Sequence, residues 1–468
     1  MATVIVQQPL YDTLPVGQEV IFTVKNFNIV TTQTNVKFVA HVFIDKVPIV
    51  YSATNFIGTF KTTPNAAGHG MFDLSSIIES YVKADNLANI GSSYKGSLVS
   101  DINPTPVHLV DKFSRNINII RYLAVSFQVE YLDTTVIPPV IVRDSSVAIS
   151  SEMNIYNGYV KPTDILDTSL GNFGYFDKKF FISPVVSISD KPGRWLTNAP
   201  NKRFAQYTDY GVASVFSFPN DGVFIDRIQL RYTEYGGTTI TETIDNTFNN
   251  GGQGPYISDS DWNILHYGCY PANIYSSSSV FKALVDSKTL ASYTVKGQTS
   301  LGVDVTDTLT IEILCPNQKG YKPIRLTWLN QWGTWDYYTF NMKSIKSIST
   351  QGSTYQQLGG TWNSNIYQPN SFKGGKKSFR VNATEKVIMN TDFVNETESE
   401  WFEELINSTE IYILEGFQTD NALSSLNNYV TPVRLTTSNY TRKTLANDKL
   451  MQYTFEVEKS KTLRTQAV

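Results

Sequence analysis

The sequence predicts a mainly β protein built from several sandwich- or barrel-like modules, with a few short helices and long interface loops. Strand-like runs rich in β-branched and aromatic residues recur along the whole chain, separated by connectors of Gly, Asn, Ser and Pro. Aromatics reach 13%, with 27 Tyr and 26 Phe, and hydrophobic residues reach 41%. That is enough apolar material for sizeable packed cores. With about 150 residues per domain as a prior, 468 residues point to three modules, placed at 1–140, 141–305 and 306–468.

In chain order, 20–25 and 36–44 read as strands, the second placing Lys37 and His41 on one face. The run 117–131 exceeds an ordinary strand and alternates cleanly from Ala124, which predicts a long or bent strand. Similar runs follow at 222–235, 306–314, 321–329, 335–348, 376–389, 410–414, 429–435 and 450–457. A helix is predicted near 74–84, where Leu74, Ile77, Ile78, Tyr81 and Val82 share a face and either Asp73 or a Ser76/Glu79 box can cap. A second is predicted near 398–407: Thr397 and Glu400 fit a capping box, the early acids suit the helix dipole, and Trp401 and Leu405 align. Pro138-Pro139 suggests a break near residue 140, 245–254 an exposed loop, and 349–376 a long loop that keeps Tyr355, Trp362, Tyr367 and Phe372.

Charge excludes a general nucleic-acid binder: 39 basic against 42 acidic residues give −3. Two cysteines, Cys269 and Cys315, cannot form a disulfide framework and read as separate buried thiols, with a single bridge as the alternative. His41, His69, His108 and His266 lack metal-ligand spacing. Residues 1–8 lack the basic and apolar regions of a signal peptide, and no apolar stretch approaches the roughly 20 residues of a membrane helix. The expectation is a soluble chain made in a cytoplasm.

Motifs that could carry chemistry are weak. Trp328, Trp332 and Trp335 flank a predicted Asn330–Gly333 turn; they suit either a sugar-stacking platform or a hairpin whose aromatics pair across strands, and the hairpin is the favoured reading. Glu396, Glu398, Glu400, Glu403 and Glu404 lie along one short helix and do not face each other across a cleft as glycosidase acids must. Ser258-Asp259-Ser260-Asp261 lacks the Gly and Glu of a calcium loop, and Gly251-Gly252-Gln253-Gly254 precedes no Lys-Ser/Thr. His266 and Cys269 have no accompanying nucleophile elbow. Triplets such as Asn382-Ala383-Thr384 match the glycosylation pattern at the frequency chance supplies. No catalytic, cofactor or metal residue is expected, and the chain reads as a non-enzyme.

The order of elements carries a resemblance. It runs from Phe72-Asp73-Leu74 near the start through Ile324-Arg325-Leu326-Thr327-Trp328 and Trp332-Gly333-Thr334-Trp335-Asp336-Tyr337. It continues with Trp401-Phe402-Glu403-Glu404-Leu405, Pro432-Val433-Arg434-Leu435 and Asn447-Asp448-Lys449-Leu450. The chain resembles virion structural proteins of tailed phages infecting Bacteroidetes, the crAss-like phages in particular. The resemblance spans most of the chain, is weakest in the middle, and carries no functional residue set. It implies a subunit of a homo-oligomeric ring in the tail barrel or neck of a virion, assembled in the bacterial cytoplasm. The implied partners are copies of itself and adjacent tail, neck or portal proteins, with passive contact to genomic DNA or cargo in the lumen.

Ring subunits need controlled sheet edges and arms that reach neighbours. The loops 245–254 and 349–376 and the termini are the candidate arms; the basic residues 459–468 read as a frayed polar end or a reach towards DNA. Tyr355, Trp362, Tyr367, Phe372, Trp332 and Trp335 are the candidate interface residues. The alternative function is a glycan- or receptor-binding tail appendage.

Overall fold

The computed structural model describes residues 2–9, 13–88, 106–115, 118–159, 181–182, 193–217, 225–246, 263–314, 320–362, 365–415, 429–441, 451–461 and 463–464. Strands take up 51% of the described residues and helices 12%, so the chain is mainly β, as the sequence predicts. It divides into two compact units: Met1–Leu314 with Leu329–Asp336, and Cys315–Trp328 with Tyr337–Val468.

The first unit opens with two sheets that enclose one core. Val4–Gln7, Ile21–Lys25 and His69–Asp73 form a three-stranded sheet. Opposite stands a seven-stranded sheet with the order Thr13–Gly17, Met153–Tyr159, Ile120–Asp133, Thr34–Asp45, Phe56–Thr62. Alternate residues of Ile21–Lys25 and Thr34–Asp45 point inward, so Phe22, Val24, Phe38, Ala40 and Val42 meet Val125 and Phe127. The chain runs straight through the boundary expected near 140. Val140–Arg143, Ala148–Ile149 and Met153–Tyr159 all pair with Ile120–Asp133, so the Pro138-Pro139 break is a turn within one sheet.

Two more sheets complete this unit. Phe181–Ile182, Val212–Ser217, Asn263–Gly268 and Phe113–Arg115 form one. Lys202–Ala205, Leu309–Ile313, Leu290–Gln298, Arg227–Glu234 and Thr239–Asp245 form the other. The helix Ser279–Asp286 places Phe281 against Tyr232 and Tyr293 of that sheet, with ring centroids 5.5 and 5.4 Å apart. The helices Phe27–Thr32, Pro271–Ser277 and Ser279–Asp286 are absent from the sequence-based expectations. They are too short for a periodic signal to stand out, although Asn26 and Ser278 cap two of them through side-chain acceptors. The helix expected near 74–84 is a single turn, Ser75–Ile78, followed by the 3₁₀ turn Glu79–Tyr81. Its proposed Ser76/Glu79 box does not form; Asp73 accepts from the Ser75 amide instead.

The second unit centres on an eight-stranded sheet. Its order is Trp335–Phe340, Ile324–Leu329, Ile411–Leu414, Val430–Leu435, Thr454–Lys459, Gly375–Asn390 and Ser344–Gln357, with Leu463–Arg464 also pairing with Gly375–Asn390. The helix Glu396–Asn407 covers it, where 398–407 was expected. Its capping box, expected at Thr397 and Glu400, is made two residues earlier. Asn395 accepts from the Glu398 amide and Glu398 from the Asn395 amide, both at 2.9 Å. Trp401 and Phe402 go inward, Trp401 against Trp328 at 4.8 Å and Phe402 against Tyr338 at 4.9 Å. No described helix is long and apolar enough to cross a membrane.

Candidate interaction arm

The segment expected as a loop at 349–376 is a β-hairpin. Ser344–Gln357 pairs antiparallel with Gly375–Asn390 over fourteen residues, from Ser344↔Met389 to Gln357↔Gly375, which spans about 45 Å at 3.4 Å per residue. Its base is held in the sheet. Thr454–Lys459 pairs with Lys386–Asn390 and Leu463–Arg464 with Asn382–Ala383, while Val387 and Met389 enter the core. Beyond residue 381 the hairpin is a two-stranded ribbon among the described residues, extending about 20 Å further before its tip. The outer edge of Ser344–Gln357 pairs with no described strand along its whole length.

The ribbon and tip are shaped by identifiable residues. Ser353 pairs with Arg380 and Thr354 with Ser378, so Phe379 is the extra residue of a bulge, and it stands exposed. At the tip, Gly360–Thr361 pairs with Gln368–Pro369, and Asn370 and Lys373 both donate to the Thr361 hydroxyl at 2.9 and 2.7 Å. Gly374 and Gly375, with φ of 99° and 79°, return the chain to the second strand in a left-handed conformation that other residues resist. Tyr367 lies over Gly360, where an added Cβ would stand 2.6 Å from its ring.

Four of the six candidate interface residues sit on this arm. Trp362 is 73% and Phe372 75% exposed; Tyr367 is exposed and Tyr355 half-buried. Ile348, Leu358, Ile366 and Phe379 join them as exposed apolar side chains that sequence reasoning missed. The composition held a signal for the arm: 344–384 contains five Lys and Arg and no Asp or Glu.

Trp332 and Trp335 are corrections. They are 8% and 2% exposed and taken up inside the first unit, so neither offers a surface to a neighbour. Trp332 donates its indole N–H to Asn198 Oδ1 at 3.2 Å, and Trp335 donates to the Asp85 carbonyl at 2.9 Å and meets His108 edge-on at 4.8 Å. The predicted turn stands: Asn330 Oδ1 accepts from the Trp332 and Thr334 amides, and Gly333 takes φ 71°. The tryptophans do not pair with one another; each finds a separate sequence-distant pocket. Of loop 245–254, Asp245 closes a strand, Asn246 is buried, and 247–254 lie outside the described residues. Also outside them are Cys315, 251–254, 258–261 and the last four residues, whereas Cys269 is buried.

One buried constellation has the residue types of a hydrolytic triad. Ser214 Oγ and His266 Nδ1 share a hydrogen bond at 2.8 Å, and His266 Nε2 lies 3.5 Å from Asp85 Oδ2. All three side chains are buried, and Ser214 and His266 are cross-strand partners in the middle of a sheet. Ser214 is buried, and the strand that carries it supplies no strained nucleophile turn. The group fastens the Asp85 segment to the sheet; Asp85 Oδ1 also accepts from the Asn118 amide at 2.7 Å. Among the described residues, no three His, Cys, Asp or Glu gather as a metal site. A surface cavity of 480 Å³ is lined by Val4, Lys25, Phe27, Gly68 and His69 in the first unit.

At the base of the arm Lys386 donates to Glu456 at 2.9 Å, and Lys459 lies 3.0 Å from Glu385. Hydrogen bonding to Lys386 holds the Glu456 carboxyl below its ordinary range, and the same bond raises the Lys386 ammonium. Across the capping box, burial raises the Glu398 carboxyl while the Asn395 amide pulls the other way.

Fold and arm together define a mainly β, multi-sheet protein with a projecting hairpin. No protein-family model matches the chain, and no curated protein matches it. Among solved structures it is similar to alpha-2-macroglobulin from Escherichia coli, in the crystal structure of the trypsin-activated form. The identity is 9% and the TM-score 0.17, over 82% of this chain and 23% of that one. The reconstruction of the native conformation of that protein gives 10% and 0.16, over 83% and 22%. The BSP domain of a biofilm associated protein gives 11% and 0.15, over 83% and 63%. The chain thus spans under a quarter of the macroglobulin length. Likenesses this slight carry no argument about fold or function.

Proposed function

We propose that this chain is a non-enzymatic structural subunit that assembles with copies of itself into a ring of a phage tail or neck, next to other tail, neck or portal proteins. The observation that carries self-assembly is the arm. A two-stranded ribbon on its own is marginal in water, and this one exposes Ile348, Trp362, Ile366, Phe372 and Phe379 beside an edge that pairs with no described strand. Edges of monomeric sheets are normally blunted by Pro, Lys or shortness. Ser344–Gln357 is fourteen residues long, has no Pro, and carries Lys346 as its one charge. Such an edge suits strand addition by a partner.

The placement in a virion, assembled in the bacterial cytoplasm, rests on the sequence resemblance to crAss-like phage virion proteins. Purified full-length chain imaged by negative-stain microscopy and weighed by mass photometry is expected to form closed rings. Strictly monomeric protein that binds a polysaccharide overturns the reading in favour of a glycan-binding appendage, for which exposed Trp362 and Tyr367 would be the stacking surface.

A further inference from the structure

We infer that the polar face of the arm binds duplex DNA, entering the major groove and pairing its cations with backbone phosphates. This goes beyond self-assembly and does not rest on it, because it uses a face of the ribbon and not the outer edge of Ser344–Gln357.

The charges of the second unit are segregated along the chain. Residues 344–384 carry Lys346, Lys373, Lys376, Lys377 and Arg380 with no Asp or Glu, whereas 391–415 hold eight Asp and Glu and no Lys or Arg. With those five positive charges set aside, the formal −3 becomes −8 on the rest of the chain. The near-neutral whole therefore hides a basic projection, and a polyanion that the rest of the chain repels is confined to it. The first carboxylate of the hairpin itself is Glu385 at the base, where Lys459 lies 3.0 Å away.

The register sorts the arm's side chains onto two faces. Cross-strand partners share a face, so Arg380 opposite Ser353 and Lys377 opposite Tyr355 lie on one side, about 7 Å apart along the ribbon. The paired residues that continue this side towards the base, Ser349, Gln351, Asn382 and Thr384, are all polar. Arginine, lysine, hydroxyl and amide side chains are the groups that hold phosphate and sugar oxygens. The cations are not spent within the molecule. Among the described residues the Lys377 ammonium has no hydrogen bond or ion pair, and Arg380 uses only its Nε, donated to Asn382 Oδ1 at 3.1 Å. The two terminal nitrogens of Arg380 remain for the paired oxygens of a phosphate.

Shape selects the kind of nucleic acid. The major groove of B-DNA, about 12 Å wide, admits a two-stranded β-ribbon. This ribbon projects about 20 Å beyond residue 381 with no third strand, among the described residues, to widen it. The deep, narrow major groove of an RNA duplex does not admit side chains. A single strand is held by stacking successive bases on a row of rings. Tyr355 is the one aromatic among the paired residues of the polar face from Ser349 to Tyr355, and Trp362 and Phe372 stand at the tip. Contacts of this kind go to the backbone, so binding is independent of base sequence.

The test titrates full-length protein into a fluorescein-labelled DNA duplex of mixed sequence and follows anisotropy at about 50 and about 200 mM salt. With about two to four phosphate contacts, wild-type binding should weaken by about 10- to 150-fold between the two salts. K377Q/R380Q should bind at least about tenfold more weakly at the lower salt, with the salt slope reduced by about two. K346Q, opposite Val387 on the reverse face, should bind within about twofold of wild type. Lys377 is half-buried and Arg380 exposed, so the variants should melt with the wild type. Should the double variant melt lower, R380Q alone carries the test, with the slope reduced by about one. Mass photometry on the same samples reads self-association separately. Wild type that does not bind at the lower salt, or folded K377Q/R380Q that binds as well as wild type, overturns the inference and leaves self-assembly standing. Oligo-dT or duplex RNA bound as tightly as the DNA duplex overturns the groove fit. Loss of assembly in K377Q/R380Q, with no duplex bound by wild type, overturns the inference in favour of a sister copy as the arm's partner.

Discussion

Gly333 stands against the carbonyl of Asn157 so closely that a methyl group on its α-carbon would lie 1.8 Å from the Asn157 oxygen. The same glycine holds φ at 71°, so both space and backbone conformation require it. This contact seats the Asn330–Gly333 turn inside the first unit, which the chain re-enters at Leu329–Asp336.

Gly333→Ala should therefore cost about 2–4 kcal/mol, combining left-handed strain with displacement of backbone. Gly237→Ala is the matched comparison: φ is 84° but nothing lies within 4 Å, so only about 1 kcal/mol is expected. Denaturant melts of the two variants measure the difference. Equal losses would mean that the Asn157 contact is not rigid.

Trp335→Phe keeps an aromatic six-membered ring and removes the pyrrole part of the indole with its donor to the Asp85 carbonyl. The expected loss is about 1–3 kcal/mol, that of a buried hydrogen bond deprived of its donor. Trp362→Phe on the exposed tip should change the melt by less than about 0.5 kcal/mol.

Ser214→Ala removes a hydroxyl bonded to the buried His266 ring. Stability should fall by about 1–3 kcal/mol. Hydrolysis of an activated ester should be at background for wild type and variant alike. Turnover by wild type that vanishes in the variant would contradict the structural role.

Glu456→Gln tests the base of the arm. Because Lys386 depresses the Glu456 carboxyl, its contribution is present above the ordinary carboxylate range and is lost as pH falls through the lowered value. The Lys386 ammonium is raised, so its share is full below the ordinary lysine range and is lost as pH climbs through the raised value. The wild type should melt above the variant at neutral pH, with the gap closing in acid and again in strong alkali. A gap independent of pH would rule the pair out as its source.

Trp362→Ser with Phe372→Ser should leave the thermal melt within about 0.5 kcal/mol of wild type, since both side chains stand in solvent. Self-association measured by sedimentation velocity should weaken. Unchanged association would remove the arm tip from the interface.

The strands were legible in sequence where one face is buried. Thr34–Asp45, Ile120–Asp133 and Arg227–Glu234 announce themselves by β-branched and aromatic residues, and the structure places strands there. The helix Glu396–Asn407 was legible from its early acids and from Trp401 and Leu405, although its capping box was placed two residues too late. The arm was not. Ser-Thr-Gln-Gly residues at 349–357 have both faces in solvent, so no hydrophobic alternation marks them, and their strand state comes from pairing with Gly375–Asn390. The candidate site was half legible: the aromatics at 355–372 were singled out, whereas their presentation on a ribbon was not. Exposed Ile348 and Phe379 looked like ordinary core residues.

By itself the sequence determined the β class, most strand positions, the Asn330–Gly333 turn and the charge segregation of the second unit, because periodicity, turn chemistry and composition are local properties. Tertiary structure alone decided that Trp332 and Trp335 turn inward, that Asp85 meets His266, and that 349–376 becomes part of a projecting hairpin. Burial and register depend on partners far along the chain: Trp335 is buried by residues some 250 positions away, and no local pattern encodes that distance.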